Sequence, residues 1–346
     1  MKMNRKAVKK DQVKQMNKNK MAFWIGAVVI LLFALLISIG SVKGARSING
    51  ANGVFAFSVG GKAKLRNTIE LPTSEVDALT VEYGSKNIYV YPASEDKIVI
   101  KEYLFSDDPA AQATVTGTES GEVFVRGSQT NHFVLFGIFM GMGERIEVYI
   151  PETDLKELSI ISGSGNIASD VEFANTEGIL SVQAGSGNIN WDKALAKDLS
   201  FQAGSGNIRL NEITGDIKIK TGSGNITCEG ITGVTDVRAG SGNITIDEFC
   251  GSGSATAGSG NIKIVANNIT DDIEIETGSG NNKLEIPEGL SFRFEAKTGS
   301  GNINTDFDDA LTFNQKGNQA EGSVGTDPAV NISMRANSGN VRIVID

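Results

Sequence analysis

Six acidic residues recur at one fixed place in a repeated part of the sequence. Each lies four residues after the asparagine of a G-S-G-N motif, and they are Asp170, Asp192, Glu229, Asp247, Glu285 and Asp306. If successive repeats stack as neighbouring strands, members such as Glu229 and Asp247 lie roughly 5 Å apart. Carboxylates at that separation repel each other, which raises the pKa of one of them or attracts a cation.

Three roles are open to this acidic column. It is a solvated face that keeps the protein soluble, with Arg209, Lys263 and Lys283 two residues away easing the repulsion, or it binds a divalent cation such as calcium, or it is catalytic. Calcium β-roll repeats carry aspartate near their glycine turns, where this repeat has neutral asparagine, so the turns themselves give little support for calcium. A polysaccharide-active enzyme needs acids and bases clustered in a groove, and the sequence alone indicates no such cluster. We expect no catalytic residue and no cofactor, with calcium on the column left open.

The motif that spaces these acids is a tandem repeat. Intervals of 18 to 22 residues separate successive motifs, and a fixed period near 20 residues is typical of a solenoid. The corner asparagines are Asn166, Asn188, Asn207, Asn225, Asn243, Asn261, Asn281, Asn302 and Asn340. The last interval, of 38 residues, is interpreted as two repeats, one with a degenerate or looped-out motif.

Apolar positions repeat with the same period. Residues one and three after each asparagine, and four, six and eight before it, are mostly apolar or small, with polar residues between them. This alternation predicts two half-buried strands per repeat. The alternation breaks across G-S-G-N, so the motif should be a corner whose glycines let successive backbones approach closely. The asparagines would then stack and hydrogen-bond as a ladder. The predicted fold is all-β, a parallel β-solenoid.

The repeat pattern also predicts where the cysteines and Trp191 lie. Cys228 and Trp191 occupy the position three residues after an asparagine, so we predict that both are buried in the core. Cys250 falls at a different place in its repeat and should not stack on Cys228, which argues against a disulfide. The single histidine, His132, has no partner at metal-ligand spacing.

The N-terminal part predicts a membrane anchor. Residues 21–42 contain no charged side chain, and 22 helical residues extend roughly 33 Å, enough to cross a hydrocarbon core of ~30 Å. Eight basic residues precede them within positions 1–20, which places the N-terminus in the cytoplasm and the rest of the chain outside. A cleaved secretory signal is the alternative, but its apolar core would be ~7–15 residues long.

Charge excludes nucleic acid as a partner. The chain of 346 residues has 32 basic and 41 acidic residues, and the first 20 hold eight of the bases and one of the acids. The remaining residues therefore carry a net charge of −16, which repels phosphate backbones. Glycine, at 41 residues, is too rare for collagen, and proline, at 6, is too rare for a proline-rich disordered chain.

Five segments follow from these patterns. We predict a basic cytoplasmic tail (1–20), a transmembrane helix (21–42), a linker (43–60), diverged N-terminal β rungs (61–150) and the regular solenoid (151–346). Residues 79–90 already resemble one repeat. The apolar run at 133–142 is either a buried strand or flap at the solenoid end, or an exposed patch facing a membrane or a partner.

Together these features resemble a known family. The N-terminal anchor, the block at 79–100, the lead-in at 147–160 and the tandem G-S-G-N-I repeats are similar to the bacterial "putative adhesin" repeat family, a domain of unknown function of Gram-positive envelopes. That family includes membrane-anchored proteins encoded beside envelope-stress systems. The resemblance covers residues 70–346 and implies a cell-surface β-solenoid with a role in adhesion or in sensing envelope damage. It supplies no catalytic residues.

The sequence therefore favours a non-enzymatic surface protein, anchored in the cytoplasmic membrane. Its expected partner is an envelope signalling protein, or a ligand of the cell wall or a host surface. A polysaccharide-active β-helix enzyme and a passive structural spacer are the alternatives. Because all five tyrosines precede residue 150, a glycan site is expected, if anywhere, within residues 80–150.

Overall fold

The structure is a computed structural model that describes residues 63–117, 120–128, 143–151 and 155–346. They belong to one compact unit, Lys62–Asp346. The predicted tail, transmembrane helix and linker, His132 and the apolar run at 133–142 lie outside the described residues. Among the residues described, no helix has the length and apolar character needed to cross a membrane.

Most of the described residues are in β-strands. The strands before the repeats are β1 (Lys64–Pro72), β2 (Ala78–Tyr83), β3 (Asn87–Pro92), β4 (Lys97–Leu104), β5 (Thr114–Gly117), β6 (Glu122–Arg126), β7 (Arg145–Ile150) and β8 (Glu157–Ser162). The repeats form β9 (Ile167–Ala184), β10 (Ile189–Ala203), β11 (Ile208–Thr221), β12 (Ile226–Ser241), β13 (Ile244–Ser259), β14 (Ile262–Ser279) and β15 (Asn282–Ile286). The last strands are β16 (Phe292–Ser300), β17 (Ile303–Thr305), β18 (Leu311–Phe313), β19 (Gln319–Val324), β20 (Val330–Ser338) and β21 (Val341–Ile345). Three 3-10 turns lie at Thr73–Glu75, Pro109–Ala111 and Asp308–Ala310.

The repeat strands pair in parallel, each with its counterpart in the next repeat. In one example, Ile208, Leu210 and Ile219 of β11 lie opposite Ile226, Cys228 and Val237 of β12. The alternation predicted from the sequence is confirmed, because the apolar positions before and after the corners form one continuous buried core. Trp191 and Cys228 are both buried in it, and both cysteines are free thiols.

The G-S-G-N motifs are corners between two strand segments. At each corner the asparagine Oδ1 accepts the backbone N–H of the next asparagine in the stack, at 2.8 Å from Asn243 to Asn225 and 2.9 Å from Asn261 to Asn243. A buried hydroxyl four residues before the asparagine closes several corners, as Thr221 does by accepting the N–H of Gly224 and donating to the carbonyl of Gly206. The polar groups of the corner are thereby satisfied within the protein.

Three successive repeats also bend at a second place that the sequence pattern did not reveal. Glu212, Gly230 and Glu248 stack there with φ of 47°, 70° and 57°, in the left-handed region. The next residue in each rung (Ile213, Ile231 and Phe249) turns inward and is buried. The rung therefore has a third inward position, six residues after the asparagine, beyond the two strands predicted.

The order of rungs in space departs from the order in sequence at the C-terminal end. Strand β20 pairs with β14 on one side and β16 on the other, and β21 likewise lies between β15 and β17. Asn340 consequently stacks between Asn281 and Asn302. The interpretation of the 38-residue interval as two further rungs is wrong. That interval contains the antiparallel pair β18–β19, and the last rung of the chain is inserted one place earlier.

The N-terminal end has the same arrangement. The rung made by β2 and β3 lies between the rung of β8 and β9 and the strands β6 and β7. Antiparallel strands then close this end, with β4 on β7, β1 on β4 and β5 on β6. The hydrophobic core continues across residue 150, so the predicted segments 61–150 and 151–346 share it.

Candidate binding face

One outer face of the solenoid carries most of the residues that the sequence singled out. We define the corner-following face as the outward side chains two and four residues after each corner asparagine. It begins at the N-terminal end with Tyr89 and Tyr91 of β3, which follow Asn87, and with Glu147 and Tyr149, their partners on β7. It continues along the repeats through the acidic column.

The structure aligns only part of the acidic column. Glu229 and Asp247 lie opposite each other on β12 and β13, as predicted. The pairing register shifts beyond Trp191 on β10, next to Asp170 and Asp192. Neutral residues separate the remaining members: Asn211 and Val265 within the column, and Val344 between Glu285 and Asp306.

Nearby donors satisfy most of these carboxylates. Asn211 Nδ2 donates to Asp192 at 2.8 Å, and the N–H of Ile345 donates to Asp306 at 3.1 Å. Lys263 Nζ contacts Asp247 at 3.3 Å and Glu285 at 3.7 Å. Lys283 lies 2.9 Å from Glu285, and its hydrogen bond lowers the pKa of that carboxyl below its ordinary value. Glu229 and Asp247 are the two members that lie opposite each other on adjacent strands, and Lys263 compensates the charge of Asp247.

The described ranges contain no group of three or more histidine, cysteine, aspartate or glutamate side chains placed to hold a metal ion. Two carboxylates on adjacent strands offer fewer ligands than the six to eight oxygens that calcium takes. A calcium ion on this face would also compete with the Lys263 ammonium for Asp247.

At the N-terminal end the acidic column gives way to tyrosines. Tyr89 and Tyr91 stack with ring centroids 6.3 Å apart and planes 10° apart, and Tyr149 lies 5.5 Å from Tyr91 across the strand pair. Tyr103 on β4 completes the group, with the Arg145 guanidinium 3.8 Å above its ring. We call these four side chains the tyrosine platform.

A half-buried charge network holds the platform in place. Glu147 accepts hydrogen bonds from Arg145 Nε at 2.7 Å and from the Tyr149 hydroxyl at 2.9 Å, and Lys101 Nζ lies 4.5 Å from the centre of the Tyr149 ring. Burial, reinforced by the Glu147 carboxylate, raises the pKa of Tyr149 to about 12. Burial likewise raises the pKa of Tyr91, with Glu147 and then Asp170 adding to it. Tyr91 and Tyr149 are therefore neutral hydrogen-bonding groups at physiological pH.

A groove of about 730 Å³ lies on the other side of the rungs, before the corners. It forms where β13 has only small side chains, at residues 251–255, between rungs that carry charged side chains. Gly253 has φ of 125°, and a Cβ there would lie 2.0 Å from the carbonyl oxygen of Thr235, so this position requires glycine. The charged residues that line the groove are Asp198, Asp216, Asp236, Asp272, Glu274, Glu295, Lys218, Arg238 and Arg335.

We expected no groove in which acidic and basic residues cluster. The residues that line this groove show that the expectation is wrong. Arg335 lies 3.1 Å from Glu274 and 3.6 Å from Glu295, and Arg238 lies 2.9 Å from Asp236. The cluster lies before the corners, whereas the acidic column singled out from the sequence lies after them. The run of glycine, serine and alanine at residues 251–255, flanked by charged repeats, is the sequence signal for the groove.

Sequence comparison identifies the family. The model of the Toastrack DUF4097 family matches residues 76–344, more than three quarters of the chain. The chain belongs to this family. The match begins just before β2, so both the tyrosine platform and the repeats lie inside the Toastrack region. The narrower resemblance to a G-S-G-N-I repeat family stays a prediction. No curated protein matches the chain.

Solved structures are similar to this chain at low sequence identity. A Bacteroides fragilis protein described as a "putative adhesin" is 14% identical, with a TM-score of 0.44, over 80% of this chain and 96% of its own. A Parabacteroides distasonis protein described as a "putative lipid binding protein" is 15% identical, with a TM-score of 0.43, over 82% of this chain and 97% of its own. At these values we draw no functional argument from either structure.

Proposed function

We propose that this Toastrack protein is a non-enzymatic, membrane-anchored surface solenoid that binds an extracytoplasmic protein or wall polymer along its corner-following face. The continuity of that face carries the proposal, because the position two residues after the asparagine pairs in register from Tyr89 through the repeats to Lys283. Regular outward positions on stacked rungs suit extended ligands. Because the asparagine ladder already holds the corners in place, binding a ligand costs little backbone conformational entropy.

The proposed location follows from the sequence. The uncharged segment 21–42, with its basic flank, would leave the N-terminus in the cytoplasm and the solenoid outside. The basic tail would then lie against anionic lipid or an envelope signalling protein on the inner side. In this arrangement the solenoid is the part that meets wall polymer, external protein or host surface.

Cysteine labelling in intact cells tests the location. In a Cys250→Ser background, Thr227→Cys places a thiol on the corner-following face and Lys10→Cys places one in the tail. A membrane-impermeant maleimide should label Thr227→Cys in intact cells and Lys10→Cys only after lysis. If only Lys10→Cys were labelled in intact cells, the protein would have the opposite orientation to the one proposed.

The groove supports a second candidate, a polysaccharide-active enzyme. Asp198 and Asp216 lie side by side on β10 and β11, and the Ser333 hydroxyl is buried at the lining without a hydrogen-bond partner in the described structure. Carboxylate pairs across a sugar ring are the usual machinery of glycoside hydrolysis. Incubating the full-length protein with purified wall polysaccharide and assaying new reducing ends tests it. Release that disappears in Asp216→Asn, with Asp170→Asn as the control outside the groove, would establish the enzyme and overturn the binding proposal.

A further inference from the structure

We infer that the tyrosine platform binds an uncharged pyranose polymer. This rests on the proposed function, since it names the ligand for one end of the corner-following face. Tyr89, Tyr91 and Tyr149 place three neighbouring rings on two adjacent strands, and Tyr103 lies on a third strand beneath the Arg145 guanidinium. Sugar rings present an apolar face that stacks on aromatic rings, and hydroxyls that need polar partners at the edge.

The polar partners are already in position. Tyr149 donates to Glu147, which also holds Arg145, so the network fixes ring orientations before any ligand arrives. Lys101 lies over the Tyr149 ring, and Asp170 on the neighbouring strand β9 is close enough to Tyr91 to interact with it electrostatically. These groups supply both donors and acceptors for sugar hydroxyls at the rim of the platform.

The charge around the platform selects against ionic polymers. Lys101 and Arg145 are balanced by Glu147 and Asp170, so the site is close to neutral. Asp170 and Asp192, the first members of the acidic column, lie next to the platform and disfavour a phosphodiester or carboxylate polymer there, whereas basic residues such as Lys263 balance the column farther along the face. A neutral glycan chain can stack on the tyrosines and continue over the threonine and asparagine side chains of the repeats without that repulsion.

The experiment is a titration of the full-length protein in detergent micelles with three probes. These are a neutral β-linked glucose oligomer, an N-acetylglucosamine oligomer and the anionic polymer polygalacturonate, followed by tyrosine fluorescence and calorimetry. We expect a neutral oligomer to bind, and Tyr91→Ala and Tyr149→Ala each to weaken it about tenfold. Phe124→Ala removes an exposed aromatic side chain on β6, outside the corner-following face, and this matched control should bind as the native protein does.

Two further variants separate binding from folding. Tyr91→Phe keeps the ring and should retain most of the affinity, and Tyr149→Phe should lose only the part that depends on the hydroxyl bond to Glu147. If an alanine variant fails to fold, protection of the native tyrosines from nitration by bound oligomer gives the same information. Equal binding by the alanine and native proteins, preference for polygalacturonate, or no binding of either neutral oligomer would overturn the inference. Cross-linking to an external protein in cells would still support the proposed function in each of those cases.

Discussion

Asn340 donates its side-chain amide to Asn281 at 3.2 Å, although 59 residues separate the two in the chain. Asn302 in turn donates its backbone N–H to Asn340 at 2.9 Å, so the ladder passes through the last rung of the chain before it reaches the rung of Asn302. Strands β20 and β21 therefore lie between the repeats and the strands β16 to β19, which we call the C-terminal cap. A solenoid that relied on neighbours in sequence alone would have left these strands at its end.

The inserted rung predicts that two deletions of equal size differ sharply. Removing residues 226–243 connects Asn225 to Ile244 and leaves every column in register, so the shortened solenoid should fold with a modest loss of melting temperature. Removing residues 329–346 takes β20 and β21 from between their partners, exposes both neighbouring rungs and detaches the cap. Circular dichroism during heating and urea titration compare the two.

The C-terminal deletion should lose cooperative unfolding or fail to accumulate. Similar melting temperatures for the two shortened proteins would show that the inserted rung is not needed to hold the cap. If the internal deletion also leaves the cellular phenotype unchanged, the passive spacer would become the better description of the protein.

Corner glycines should tolerate no side chain where the stack is tightest. A Cβ at Gly224 would lie 1.9 Å from the carbonyl oxygen of Gly206 in the rung below, so Gly224→Ala must push two backbones apart. Overpacking of this kind costs about 1–3 kcal/mol or more. Gly84, at the corner of β2 and β3, has open space around it, and Gly84→Ala should change the free energy of unfolding very little. Equal effects of the two variants in urea titrations would contradict close backbone stacking at the corner.

The two cysteines should differ in reactivity. Burial raises the pKa of Cys228 to about 12, whereas Cys250 is half-exposed. In the folded protein at pH 8 a thiol reagent should modify Cys250, and Cys228 should react only after denaturation. Rapid modification of Cys228 in the native state would contradict its place in the core.

The same burial predicts a pH dependence of stability. The Cys228 thiol has an ordinary pKa of 9.0, and the folded value is about 12, so the unfolded chain loses this proton at lower pH than the folded one. The contribution to stability is therefore complete below pH 9 and falls as pH rises towards 12. Cys228→Ala should unfold with a shallower decline over that range, and an unchanged decline would assign the effect to other groups.

Removing one lysine should create a better cation site on the acidic column. Lys263 contacts both Asp247 and Glu285, so the native column should show little or no calorimetric response to calcium. Lys263→Ala frees Asp247 beside Glu229 and should increase calcium affinity and the calcium-dependent rise in melting temperature. Lys156→Ala, whose lysine pairs with Asp77 away from the column, is the control. Strong calcium binding by the native protein would instead support the column as a resident metal site.

The repeats could be predicted from the sequence because their constraints are local. The period of two on either side of G-S-G-N fixes which residues are buried, and Cys228 and Trp191 lie where the pattern puts them. The asparagine spacing likewise predicts the corner. The second bend was not visible, since Glu212 and Gly230 adopt the same left-handed conformation with different residue types.

The ends and the surfaces depend on relations that periodicity does not encode. The exchange of rung order needs β14 to pair with β20 rather than with β16, the next rung in sequence, and no local pattern specifies that choice. The tyrosine platform forms because β3, β7 and β4 are brought side by side across an interval of more than forty residues. The groove forms because one rung has small side chains where its neighbours have large ones. This difference produces a groove only when the rungs are stacked.

Photo-cross-linking in living cells tests the central proposal most directly. A photoactivatable residue placed at Thr227, on the corner-following face, would be irradiated with and without a cell-wall antibiotic, and the products identified by mass spectrometry. The expected result is capture of wall polymer or of an extracytoplasmic protein, with no such product from a photoactivatable residue at the buried position of Ile226. Capture of cytoplasmic proteins alone, or the same yield from both positions, would contradict a surface solenoid that binds its partner along this face.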